Sequence, residues 1–160
     1  MISADFKKML VPLFACLLAV TAAGTVQADF NRTMDYIIDL DYITYGGASF
    51  LLLTGTGAID DSSSLQDAAG RMAALYPEDA MSWNEAVTLG QFSYMIMQVH
   101  DIEGGLFYRL LPGPRYALRE LRFKRIVQGR SYTGMYFSGE RALRILGRVL
   151  DREEARYAQN

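Results

Sequence analysis

The chain has 160 residues, 51% of them hydrophobic, with 16 Lys and Arg against 18 Asp and Glu for a formal charge of −2. It is too apolar for global disorder, and its length suits one domain. One cysteine and one histidine exclude a disulfide framework and a Cys-rich or His-rich metal site, and no nucleotide-binding or hydrolase motif appears.

Residues 1–28 have the layout of a secretory signal peptide. Lys7 and Lys8 form a positive start, Met9 to Val20 an apolar core, and Val26-Gln27-Ala28 a small-residue cleavage site that makes Asp29 the expected mature start. Two other fates of the segment are a retained membrane anchor and lipidation at Cys16, where Leu13-Phe14-Ala15-Cys16 loosely resembles a lipobox. The expected location is therefore the periplasm or cell envelope, with membrane contact peripheral at most and no nucleic-acid partner. Beyond residue 28 the charges separate: residues 29–105 hold 2 basic and 12 acidic residues, and residues 106–160 hold 12 basic and 5 acidic.

Helical signals dominate this remainder. Tyr45 to Thr54 reads as a helix closed by Gly55-Thr56-Gly57. Asp61-Ser62-Ser63-Ser64 caps a helix that runs to about Leu75, before Pro77. A cation loop at Asp60 to Ser64 lacks the spacing of an EF-hand, so the cap is preferred. Thr88-Leu89-Gly90-Gln91 fits a capping box opening a helix that stops near Gly104-Gly105. It is apolar on nearly all sides, which predicts the most buried element. Pro114 suits the first turn of a third helix that reaches Val127 before Gly129, with Leu118, Leu121 and Ile126 apolar. A fourth follows Ser138 through Leu150 toward Tyr157, with Leu143, Leu146 and Leu150 as its buried stripe and Ile145 and Val149 flanking it.

These starts form a repeat. Thr44 to Leu53 aligns without gaps on Thr88 to Met97, sharing Thr, Gly and Ser, and Ser138 to Gly147 is a weaker third copy. The glycines at 46 and 90 lower helix propensity, so close approach of a neighbouring helix or a ligand is expected there. The last 45 residues resemble the S-layer homology (SLH) family. Arg125-Ile126-Val127-Gln128-Gly129 stands where that family has a G-I-V-x-G-like turn, and Phe137-Ser138-Gly139-Glu140-Arg141-Ala142-Leu143 where it has a T-R-A-E-like helix start. Val87 to Ser93 and Ile43 to Ser49 repeat that start. The resemblance implies a mainly α single domain of two to three degenerate helix–loop–helix units, about residues 29–57, 58–105 and 106–160. It also implies a non-enzymatic envelope role attaching to a cell-wall polymer. The family's arginine position is held here by Tyr45, Leu89 or Gly139, so binding chemistry has to come from other residues.

Arginines supply the candidates. Arg115, Arg119, Arg122 and Arg125 are spaced along one side of the third helix, and Arg141, Arg144, Arg148, Arg152 and Arg156 along the fourth. Two such rows would form an anion-binding face, since guanidinium groups grip carboxylate and phosphate bidentately. A solvated helix face with pairs such as Glu140 and Arg144 would produce the same spacing. Trp83 and Tyr132 lie in loops, where rings either stack on a glycan or cap the core. His100-Asp101-Ile102-Glu103 and the carboxylates Glu78, Glu85 and Glu103 make no catalytic constellation, so no enzyme activity, cofactor or metal is expected. The alternative to wall binding is an envelope adaptor that pairs with an envelope protein or self-associates through its acidic and basic halves.

Overall fold

Five of the described helices begin at hydroxyl or proline positions of the sequence, and the starts of three of them are joined to one another. The computed structural model describes residues 29–158, so the predicted export segment lies outside the described residues. The described chain is mainly α. Its helices are α1 (residues 29–38), α2 (Tyr45–Gly55), α3 (Leu65–Leu75), α4 (Leu89–Val99), α5 (Leu106–Leu110), α6 (Pro114–Phe123) and α7 (Gly139–Tyr157), with one 3₁₀ turn at Pro77–Asp79. None of the described helices is long and apolar enough to cross a membrane.

Thr44, Ser64, Thr88 and Ser138 each accept a hydrogen bond from an amide of the following first turn. At Ser64 and Thr88 the reciprocal bond from the side chain of Asp67 or Gln91 completes a capping box. Apolar Ile43, Val87 and Phe137 stand one residue ahead of three of these caps, and all are buried. A helix leaves its first amides without internal partners, and here neighbouring segments supply the acceptors. Tyr45 and Gly46 donate to the carbonyls of Glu85 and Trp83, each at 2.7 Å, while Leu89 and Gly90 donate to Met135 and Thr133 at 2.7 and 3.0 Å. Gly139 donates to Leu40 at 3.0 Å, which brings α1 against the start of α7. Two further bonds, Ile43 to Phe137 and Val87 to Ile43, tie the segments preceding α2, α4 and α7 into one junction.

This junction explains two glycines that helix propensity alone would disfavour. A Cβ on Gly46 would stand 2.9 Å from the carbonyl oxygens of both Leu65 and Trp83, and one on Gly90 would stand 2.9 Å from that of Thr133. A close approach is present at both sites, made by a loop carbonyl at each and by the start of α3 at Gly46. Gly139 meets the same constraint, because the carbonyl of Ile37 fills the space a Cβ would need.

The core lies around α2, whose residues Tyr45 through Leu53 are all buried. α2, rather than α4, is thus the most enclosed helix, since three neighbours cover it while Tyr94 and Gln98 of α4 reach the surface. α3 packs on α2 through Ala68, Ala69 and Met72, and α6 packs on α4 through Ala117, Leu118 and Leu121. α7 leans on α2 with Ala142, Ile145, Leu146 and Val149 buried. Its stripe is rotated from the predicted one, leaving Leu143 and Leu150 only half-buried at its margins.

Three helices end in one way. Gly57, Asp101 and Arg125 take left-handed φ values of 69°, 43° and 60°. The next amide in each case, at Ala58, Ile102 or Ile126, reaches back to the carbonyl of Leu53, Met97 or Leu121. These turns stop α4 at Val99 and α6 at Phe123, earlier than the expected ends near Gly104 and Val127. α1 and α5 lie where the sequence analysis placed no helix.

α5 is fixed by Tyr108, which packs edge-on against Tyr94 with ring centroids 6.2 Å apart. Burial pushes the Tyr108 phenol up to about 12, helped by Tyr94, Asp79 and Tyr76 nearby, and burial also raises Tyr45, Tyr76 and Tyr94. Folding therefore favours the neutral phenols. That contribution is complete below the unfolded value of about 10 and is lost as pH rises toward 12. Urea unfolding midpoints should fall between pH 10 and 12, with a shallower fall for Tyr108→Phe. Glycine substitutions should separate by site. Gly46→Ala or Gly90→Ala should destabilise by about 2 kcal/mol or more through overpacking. Gly70→Ala and Gly147→Ala, where a Cβ meets nothing within 4 Å, should each stabilise by about 0.5–1 kcal/mol. Calorimetric melting temperatures check both signs.

Candidate functional site

The α6 arginines divide at the helix end. Arg115, Arg119 and Arg122 stay on one side of the helical turns, whereas Arg125 sits in the left-handed turn beyond them. Facing the first three is the loop Ser131-Tyr132-Thr133, which the Thr133 carbonyl holds in place through its bond from Gly90. Between helix and loop lies a groove of about 400 Å³, lined by Phe107, Arg115, Tyr116, Leu118, Arg119, Arg122 and that loop. Its aromatic floor is ordered: Phe107 and Tyr116 stack with centroids 6.2 Å apart and planes 7° apart. The Arg119 guanidinium lies 5.1 Å above the Phe107 ring, an arrangement that holds a cation without neutralising it. No acidic side chain lines the groove, and among the described residues none of its three arginines enters an ion pair.

The groove can therefore do two things chemically. Its guanidinium groups offer paired donors to carboxylate or phosphate. Tyr132, 57% exposed, and the hydroxyls of Ser131 and Thr133 offer a ring face and short polar groups to a sugar.

The arginines of α7 are arranged differently, so the two rows do not form one free face. Arg141 is half-buried and donates to the carbonyls of Gln128 and Arg130 at 3.2 and 2.8 Å. Desolvation lowers its pKa, reinforced by the charges of Arg144 and Arg148. Arg148 donates to the carbonyl of Ile126 at 3.3 Å, and Arg152 to that of Lys124 at 3.4 Å. Arg144 pairs with Glu140 at 3.7 Å. The physical cause is the early stop of α6: the irregular segment after it exposes a series of carbonyls, and the facing side of α7 supplies their donors. Arg125 and Arg148 line a separate shallow hollow with Lys124 and Asp151.

The remaining candidates lie apart. Trp83 is 38% exposed beside α2, where its carbonyl caps Gly46, and it does not line the groove that holds Tyr132. The His100 side chain is fully buried, with Nδ1 3.0 Å from Glu153 Oε1 of α7 rather than paired with Asp101 or Glu103. A larger hollow of about 560 Å³ lies beside that pair, but Glu103 and Glu153 offset its Lys124, Arg152 and Arg156. A smaller one, of about 240 Å³, contains Tyr45, Glu78, Asp79 and Tyr94. Phe107 and Tyr116 are not among the site residues expected from sequence, although the aromatic pair Phe107-Tyr108 just ahead of the arginines is a visible signal.

Comparisons of the chain with protein-family models, with curated proteins and with solved structures find no match.

The two classes of arginine should respond differently to truncation. Arg141→Ala removes the partner of two carbonyls and should destabilise by about 0.5–1.5 kcal/mol. Arg115→Ala, at an exposed position without an ion pair, should stay within about 0.5 kcal/mol of the parent. Denaturant titrations of both variants measure this.

Proposed function

We propose that this protein is an exported, non-enzymatic binding module of the bacterial cell envelope that holds an anionic wall polymer in the groove between α6 and the loop at Tyr132. The observation that carries the reading is the convergence of Arg115, Arg119 and Arg122 with exposed aromatic rings in a groove lined by no acid. Anionic glycans present both features, charged substituents and sugar faces, and the groove answers each. The repeated helix starts support an arrangement of three degenerate units similar to the SLH family. The arginines that bind in this chain, however, come from α6 rather than from the helix-start positions that family uses. Export rests on the layout of residues 1–28.

A second reading, an adaptor that pairs with itself through its acidic and basic halves, draws on the ion pairs. Among the described residues, the one contact that joins an acidic or basic side chain of residues 29–105 to one of residues 106–160 is His100 with Glu153. Many charges of both halves thus stay available to a partner. Sedimentation at low and high salt separates the readings, because a monomer under both conditions removes the adaptor.

The test of the polymer reading is co-sedimentation with purified sacculi that retain their anionic polymers. The full chain should pellet with them, and release should follow increasing salt. Arg115→Ala and Tyr132→Ala should each weaken retention by roughly tenfold, a loss of about 1.4 kcal/mol, with melting temperature unchanged. Retention equal to the parent in both variants would sink the assignment.

A further inference from the structure

α5 presents an apolar surface that the fold leaves uncovered. Leu106, Phe107 and Leu110 lie on α5, with Leu106 and Leu110 one turn apart, and Leu111 follows directly as its C-cap. Leu106, Phe107, Leu110 and Leu111 are 68%, 52%, 67% and 60% exposed, respectively, within six consecutive residues. Tyr108 is the side chain that anchors the helix, through its edge-on contact with Tyr94. Soluble proteins seldom expose so many large apolar side chains together without a surface to meet. Two cations and one acid border the patch: Arg109 stands between Leu106 and Leu110, Arg119 lies over Phe107, and the Glu120 carboxylate lies against Gly105 at the start of α5.

We propose that α5 docks the protein on the surface of an anionic lipid bilayer, Leu106, Leu110 and Leu111 entering the interface while Arg109 and Arg119 meet lipid phosphates. Apolar residues beside unpaired arginines are what an interfacial anchor requires, since burial and attraction to anionic headgroups then act together. The other occupants fit the charges less well. A second copy docked symmetrically would bring the same arginines face to face. The chain's own residues 1–28 carry Lys7 and Lys8 against a single acid, Asp5, and so add positive charge. The inference rests on α5 rather than on the ligand of the groove, although Phe107 and Arg119 border both.

The chain's single tryptophan makes a local test available. Trp83→Phe with Leu110→Trp places the only indole on α5, at an exposed position that should not disturb folding. The full-length variant is mixed with vesicles of phosphatidylglycerol and phosphatidylcholine carrying brominated acyl chains, and with phosphatidylcholine vesicles alone. The emission should shift to the blue and be quenched at least about threefold more by the anionic vesicles, with the difference shrinking at high salt. Adding Leu106→Ser should reduce the quenching several-fold, while Tyr132→Ala should leave it unchanged. Insertion of residues 1–28 alone would leave residue 110 unquenched, and that result overturns the proposal. So would equal quenching by both vesicles or an unchanged response in Leu106→Ser. A blue shift without lipid that grows with protein concentration would assign the surface to a second copy, and one produced only by polyglutamate would assign it to an acidic protein.

Discussion

The amides at the starts of α2, α4 and α7 control the rest of the structure. A helix entering a core must find acceptors for its first donors, because an unpaired buried amide is costly. This chain satisfies them twice over, with a Thr or Ser cap on each helix and with carbonyls of the segment entering another helix. The arrangement draws chain segments distant in sequence to one junction and leaves no space for Cβ atoms at Gly46, Gly90 and Gly139. It also sets the position of the groove. The loop that carries Tyr132 is held by the bonds from Leu89 and Gly90 to Met135 and Thr133. One wall of the candidate site is thus a by-product of capping α4.

Arginine serves two purposes here, and the backbone decides which. After α6 the chain leaves helical geometry at Arg125, and its carbonyls point without helical partners toward α7. Long side chains with several donors suit that role, and Arg141, Arg148 and Arg152 are drawn into it. On α6 the arginines face a loop whose exposed groups are hydroxyls and a ring, so they keep their donors. Spacing alone cannot distinguish these cases, because both rows obey the same helical period.

What was legible in the sequence follows from the range of the interaction involved. Caps are local, so the starts of α2, α3, α4, α6 and α7 were readable from Thr44, Ser64, Thr88, Pro114 and Ser138. The low helix propensity of Gly46 and Gly90 pointed to crowding at those two positions. Helix ends were less accessible because Asp101 and Arg125 take left-handed turns without being glycine. α1 carries Phe30, Met34 and Ile37 at helical spacing, a stripe overlooked beside the acidic residues around it. The groove was half visible: Arg115, Arg119, Arg122 and Tyr132 could be listed, but only the fold joins them and adds Phe107 and Tyr116. The pairing of His100 with Glu153 spans 53 residues and had no local sign at all.

The segregation of charge acquires a direction once the groove and α5 are considered together. Phe107 belongs to both: it floors the groove under Arg119 and stands among the exposed apolar residues of α5. An anionic ligand in the groove and an anionic surface at α5 therefore approach the same region of the protein. Either would attract residues 106–160, with 12 basic against 5 acidic side chains, and repel residues 29–105, with 2 against 12. Such an uneven distribution orients a protein before contact is made. The acidic part need not bind anything to contribute, because its repulsion from any negatively charged surface disfavours approaches that lead with residues 29–105.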